Sequence, residues 1–433
     1  MEEGNGAADR GILRNRPFLA LWAAQILSQV AANATTFALI VLVGELTKSN
    51  TSSSILILLA ILPAVVFGVF AGVIVDRTDR KRVLVVTNAL RAGAVLPLLA
   101  LGESVSAAYI VNFLVAAITV FFVPAESATI PAIVRKRDLL VANSLFTFTF
   151  NGAFLVGFII LAPVVIAISG YQALFSVVAA MFGGAALLCL TVPSVAPAQR
   201  PQPLGVDVAG AAVAETLGGV GEAFRYLRAH PPVVWSLVYI ALTYMLVAVA
   251  GALAPGFVRE VLGLGEKNVV VLVAPAGLGV VVGLGALNVI GGRLAPNRAI
   301  GTGLVVTAAA LLVLAAERPL AFLLRTASGP APGFVALVSL TAFVFGISYA
   351  FITVPSMTRL QSDLHDEIRG RIFGVLNMLV SVFSFAPLLV VGPVADAYGV
   401  APVFVGGAAA CAVAWVGGRA SRGQIRQETA PGM

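Results

Sequence analysis

The sequence is poor in charge, in histidine and in cysteine. Only 11% of its 433 residues are Asp, Glu, Lys or Arg, less than half the share of about 25% usual in soluble domains. With 59% hydrophobic residues and a mean hydropathy of +1.00, too little polar surface remains to coat a globule in water. An apolar exterior needs lipid as its solvent. There every backbone amide must be satisfied within the protein, which leaves helices or a closed barrel. The apolar runs, such as 55–75, are continuous rather than alternating and have the roughly 20 residues of a spanning helix. An all-α membrane protein embedded in a lipid bilayer is expected.

His230 and His365 fall in connections between apolar runs, while Cys189 and Cys411 each sit inside one. This excludes a disulfide framework and paired metal-ligand spacing. No metal, other cofactor or catalytic residue is expected, and the chain is not read as an enzyme. The phosphate loop Gly-x-x-x-x-Gly-Lys-Ser/Thr is absent, which excludes a pump built on that loop. The net charge of +7 is carried by short basic clusters between apolar runs. They read as topology signals, not as a nucleic-acid surface. The first run, 18–44, far exceeds a signal-peptide core of about 7–15 residues and is expected to stay as the first span.

Runs bounded by charge, Gly or Pro place twelve spans in two halves: 18–45, 54–75, 83–101, 106–130, 139–168 and 172–192, then 233–258, 268–291, 299–316, 333–356, 370–395 and 401–418. Twelve spans put both termini on one side. That side then holds 21 of the 27 basic residues and the other side 5, with Arg91 inside the third span. The bias predicts cytoplasmic termini in a plasma (inner) membrane protein. Domains are expected at 1–192 and 233–433, each a six-helix bundle. The connection 193–232 opens with Pro193, Pro197, Pro201 and Pro203, which favour extended chain. Its second part, 215–228, reads as an amphipathic helix with Leu217, Val220, Phe224 and Leu227 on one face.

Features recur between the halves at offsets near 229 residues. Pro124, the turn Arg135–Asp138, Asn143 and Gly170 match Pro355, the turn Asp366–Arg369, Gly370 and Gly399. Each set reads as a helix ending at Pro, a charged turn, a long helix and a Gly stop. Parallel repeats of this kind place a transporter's substrate path at their interface.

Between the second and third spans stands Gly72-Val-Ile-Val-Asp76-Arg77-Thr-Asp-Arg80-Lys-Arg82. Glycine near a helix end allows close approach, and a carboxylate at the membrane edge suits the amino terminus of another helix. The segment resembles the Gly-x-x-x-Asp-Arg-x-Gly-Arg-Arg signature of the major facilitator superfamily. Arg14-Asn-Arg-Pro-Phe18 with Leu21, Trp22 and Gln25, and Arg369-Gly-Arg-Ile-Phe-Gly374, are similar to its bacterial exporter branch, which includes enterobactin-exporter-like proteins. The resemblance implies the twelve-helix fold. It also implies a conformational latch of Gly72, Asp76, Arg77, Arg80 and Gly370, with Asp76 docking near Gly370 in the outward-facing state. Asp79 departs from the signature glycine, the fourth span lacks an arginine, and the fifth lacks Gly-Pro-x-x-Gly-Gly. The last two departures mean that the resemblance supports the fold and does not support proton antiport.

Polar residues inside spans are costly and usually face a bundle interior or wet cavity. Trp22, Gln25, Gln29 and Asn33 share a face of the first span; with Arg91, Asn151 and Asn377 they are the candidates for a substrate cavity. The alternative for the amides is to join helices. Arg91, about 12 Å into its helix, suits either an anionic substrate group or an ion pair. Glu126 is the candidate proton carrier, its alternative being a salt bridge to the 135–137 turn; Glu45 reads as solvated. Gly68 with Gly72, Gly279 with Gly283 and Gly370 with Gly374 are spaced for close helix contact. The expected function is secondary active transport by alternating access, exporting an amphiphilic small molecule such as a drug or siderophore-like metabolite. An uncoupled facilitator or lipid-like transporter is the alternative, and a non-transporting receptor or scaffold a remote one. Partners are then the substrate, the bilayer and, if coupled, protons; a monomer is expected.

Overall fold

A computed structural model describes residues 12–195, 225–290, 294–316, 325–326, 329–330, 332–363, 383 and 385–428. The turn 366–369, Gly370, Gly374 and Asn377 lie outside the described residues, as do 215–224 of the amphipathic stretch and the side chain of Asn151.

The described chain is helical apart from turns and a two-residue pairing of Arg325–Thr326 with Gly329–Pro330. In chain order the helices are α1 Arg16–Thr47, α2 Asn50–Asp76, α3 Arg80–Val95, α4 Pro97–Leu101, α5 Val105–Ile133, α6 Leu139–Phe154, α7 Ala162–Leu190, α8 Pro231–Glu260, α9 Val270–Ile290, α10 Pro296–Ala315, α11 Pro332–Asp363, α12 Phe385–Tyr398 and α13 Ala401–Glu428. Among the described residues, ten stretches are long and apolar enough to cross a membrane, and α12 is a shorter apolar helix. One stretch, Lys136–Leu190, has 55 residues, more than twice a bilayer crossing. Gly170 breaks it, with φ at 78°.

Local chemistry sets the boundaries. Ser104 starts α5 by accepting a hydrogen bond from the amide of Ala107 at 3.3 Å, filling one of the free donors of a helix start. Pro231 and Pro232 open α8, where a missing N–H costs nothing. Gly170 and Gly399, paired in the sequence repeat, both adopt the left-handed region, with φ at 78° and 83°. The expectation that helices end at Pro124 and Pro355 is corrected: α5 runs through Pro124 and Pro131 to Ile133, and α11 through Pro355 to Asp363. Proline is tolerated inside spans because neighbouring groups can take up the freed carbonyls.

Two compact units result. Unit 1 comprises 1–39 and 66–212, and unit 2 comprises 40–65 and 213–433. The ends of α1 and α2 farthest from the basic turn 77–82 thus cluster with the later half of the chain. In unit 1, α3 packs on α5 and α7 around Phe18, Leu84, Phe122, Phe146 and Ala185. In unit 2, α11 packs on α8, α9 and α10. A methyl on Gly279 would collide with the backbone of Phe343, and one on Gly283 would sit 2.9 Å from Ala350 Cβ. That pair makes the expected close contact. Gly68 and Gly72 do not among the described residues, since a methyl there would meet nothing within 4 Å. Large apolar side chains such as Phe148, Ile168 and Val413 point outward, as a lipid-facing surface requires.

Candidate functional site

The most unusual chemistry of unit 1 is a charged cluster in its apolar interior. Arg91 on α3 is 1% exposed and Glu126 on α5 is 6% exposed. The guanidinium donates from Nη1 to Ser28 Oγ at 2.9 Å. Its carbon lies 4.2 Å from the centroid of Phe122 and 5.3 Å from that of Phe182, both within cation–π range. Nε and Nη2 of Arg91, Oε1 of Glu126, Oδ1 of Asn88 and Oε1 of Gln25 are buried without a hydrogen-bond partner among the described residues. Arg91 and Glu126 act on each other as opposite charges with no hydrogen bond joining them. Among the described residues Glu126 makes no ion pair with the 135–137 turn, where Arg137 faces Asp138 at 3.9 Å. Asn88 donates to Leu84 O at 3.0 Å and to Cys189 Sγ at 3.7 Å. Burying an ion costs several kcal/mol unless partners compensate, so these open valences suit a proton, water or a polar group of a ligand.

The stripe on α1 is divided in its contacts. Trp22 Nε1 donates to Thr149 Oγ1 at 2.7 Å and Gln25 Nε2 to Phe146 O at 3.4 Å, both on α6. Asn33 Nδ2 donates within its own helix, to Gln29 O at 2.8 Å. Gln29 and Asn33 are half-buried. Between α6 and α7 the chain winds as a π-helix over Leu155–Leu161. There Gly157 lies so close to α1 that a methyl would collide with Val30 O. Such π segments are frequent at functional sites.

At the signature segment, Asp76 is exposed and has no hydrogen-bond or ion-pair partner among the described residues. Arg80 Nη1 donates to Ala128 O at 3.4 Å, while Arg77 Nη1 and Arg80 Nε are buried without partners. Asp79, the departure from the signature glycine, has φ −59° and caps α3 by accepting from the amide of Lys81 at 2.9 Å. Burial pushes its carboxyl up, but hydrogen bonds from the Ser194 hydroxyl and the amides of Lys81, Val195 and Arg82 outweigh this and hold it below the usual range. A turn that needs no positive φ explains why glycine is dispensable there.

Sequence reasoning passed over Ser28, Thr149, Phe122 and Phe182. The spacing of Ser28 three residues after Gln25 was the available signal. It also missed a second polar cluster in unit 2. Lys48 Nζ donates to both carboxylate oxygens of Glu266 at 3.1 Å, and Arg259 Nη1 donates to Oε1 at 3.1 Å. Glu45, expected to be solvated, lies 4.0 Å from Lys267.

Comparison with known proteins gives these elements a setting. Residues 21–388 match the model of the Major Facilitator Superfamily. Over 126 residues, 28% of this chain, it is 34% identical to Macrolide efflux protein A of Streptococcus pyogenes. Over 143 residues, 32% of the chain, it is 29% identical to Uncharacterized MFS-type transporter YkuC of Bacillus subtilis (strain 168). These stretches span about a third of each relative's length, 31% and 33%. Among solved structures, nucleoside transporter NupG aligns with a TM-score of 0.69 at 15% identity, covering 93% of this chain and 98% of that one. A bacterial homolog of the human lysosomal transporter Spinster aligns at 0.70 and 14%, covering 94% and 98%. At such identity the likeness is one of fold.

Proposed function

The chain belongs to the Major Facilitator Superfamily, and from that premise we propose that it is a secondary active transporter exporting an amphiphilic small molecule by alternating access. It crosses the plasma membrane twelve times with both termini cytoplasmic, as a monomer of two six-helix bundles joined by 193–232. The 55-residue stretch counts as two spans and α12 as the described part of the eleventh. The observation that carries coupled transport is the buried Arg91–Glu126 cluster with its unpartnered polar atoms. Glu126 takes up and releases the coupling proton. Arg91, held by Ser28 and the two phenyl rings, supplies the countercharge and meets any anionic group of the substrate. Trp22, Gln25, Gln29, Asn33, Asn151 and Asn377 line the substrate path. Gly72, Asp76, Arg77, Arg80 and Gly370 form the cytoplasmic latch. Export is supported by the partial match to a macrolide efflux protein. A place in the enterobactin-exporter-like branch rests on Arg14–Phe18 and Arg369–Gly374.

The missing arginine of the fourth span and the missing Gly-Pro-x-x-Gly-Gly of the fifth favour one second reading, uncoupled movement of a lipid-like substrate. Accumulation of fluorescent amphiphilic dyes in expressing cells, with and without an uncoupler, decides between them. Lower accumulation that the uncoupler abolishes supports proton-driven export. Accumulation equal to that of empty cells supports uncoupled movement or a narrower substrate. A purified protein that moves neither dyes nor lipids in liposomes would be a receptor or scaffold.

A further inference from the structure

The end of α2 opposite the basic turn is held by a carboxylate from far along the chain. Asp396, near the end of α12, accepts at Oδ1 from the amide of Asn50 at 2.7 Å. Its Oδ2 accepts from Ser49 Oγ at 2.7 Å, from the amide of Thr51 at 3.0 Å and from Thr51 Oγ1 at 2.6 Å. The first turn of α2 contains no acidic residue of its own, so its free amides and positive dipole end take their counterion from α12. One turn earlier on α12, Gly392 brings the backbones together. A methyl there would lie 2.6 Å from Thr51 Cα and 2.8 Å from Ser54 Oγ. On α8, a methyl on Gly256 would collide with the Asn50 side chain. Lys48, in the left-handed region at φ 52°, turns α1 into α2 and pairs with Glu266. Beside the cap opens a polar cavity of about 590 Å³ lined by Lys48, Glu260, Asp396 and Tyr398. Water can therefore replace the cap's hydrogen bonds when it parts.

We propose that Asp396 is a second latch, the counterpart of the one assigned to Asp76. It closes the ends of α1, α2, α8 and α12 remote from the basic turns, while the Asp76 latch is released. The inference rests on the alternating-access reading. Asp76 ends α2 and Asp396 stands near the end of α12; Asp396 serves the amino end of α2, the role that the latch reading gives Asp76 toward the eleventh span. Asp396 accepts four hydrogen bonds, whereas Asp76 is exposed and has no partner among the described residues.

The test is the maleimide reaction rate of Ser54→Cys in purified protein in lipid nanodiscs. Ser54 is 1% exposed against Gly392, and the two natural cysteines are buried and set the background. Asp396→Asn in that protein is expected to raise the rate severalfold, Asp396→Glu less, and Gly392→Ala to raise it by a separate steric route. Asp76→Asn is expected to lower it or leave it unchanged. A rate in the Asp396→Asn protein equal to that of its parent would overturn the proposal, as would a rise in Asp396→Asn matched by equal exposure of Cys189 and Cys411, which marks unfolding. A severalfold shift in a protein that moves no dye would leave the latch standing and remove the reading of dye-like export. Dye export with no shift would do the reverse.

Discussion

The two charged clusters of this protein are built on opposite terms. In unit 2, both oxygens of Glu266 and both of Asp396 accept hydrogen bonds. These groups lie at helix ends, with the Lys48 side chain 57% exposed. In unit 1, Arg91 and Glu126 are both buried, Arg91 between two phenyl rings, and three of their polar atoms have no partner among the described residues. Carboxylates with both oxygens hydrogen-bonded fix a conformation at little cost, even though Asn50 Oδ1 and Ser54 Oγ beside them have no partner among the described residues. An unsatisfied pair in an apolar interior is expensive to keep, and the proposed function gives the reason for keeping it.

The sharpest way to break that comparison is to remove one partner. Arg91→Ala deprives the buried Glu126 carboxylate of its countercharge, and the loss of stability is expected to be at most about 3–5 kcal/mol, less where the carboxyl takes up a proton. Thermal unfolding in detergent measures it. Adding Glu126→Gln to Arg91→Ala removes the stranded charge and should recover much of the loss. A single variant as stable as the parent would mean that the two charges do not depend on each other. Glu126→Gln alone is expected to lower stability, since Arg91 loses its countercharge, yet the folded fraction should bind dye while energised export falls to the background of empty vesicles. Undiminished export in that variant would take the proton carrier away from Glu126.

Much of the fold was legible because lipid imposes simple rules on sequence. Span length, the run of apolar residues and the clustering of Arg77–Arg82 and Arg135–Arg137 all report on the bilayer. The Gly170 and Gly399 stops were readable because only glycine enters the left-handed region freely. Arg91 and Glu126 stood out as charges inside apolar runs, but their facing each other is tertiary and has no local signature. The same holds for Asp396, whose partners lie some 345 residues away. The helix ends at Pro124 and Pro355 were misread because proline's local penalty is a rule of water, relaxed where neighbouring helices supply donors.

Asp79 lies between the two extremes, being hydrogen-bonded, charged and part of unit 1. Asp79→Ala removes the cap of α3 and should cost about 1 kcal/mol, read from the same unfolding transitions. Because its folded pKa is lowered, its contribution is complete above the ordinary aspartate value of about 3.9 and fades as pH falls from there through the folded value. The difference between parent and Asp79→Ala should therefore be constant near neutrality and shrink only in strong acid.

The smallest effect belongs to the wet edge of unit 2. Lys48→Ala removes an ion pair whose lysine is mostly exposed, and Arg259 still meets Glu266 at 3.1 Å. A loss of no more than about 1 kcal/mol is expected, and it should diminish further in high salt because the exposed charge is screened. The contrast with Arg91→Ala is then a matter of burial and of replaceable partners, since both substitutions delete one cation beside one carboxylate. Should Lys48→Ala cost as much as Arg91→Ala, exposure would not separate the clusters. The unit 2 network would then have to be treated as part of the protein's core stability instead of as a closure that can open.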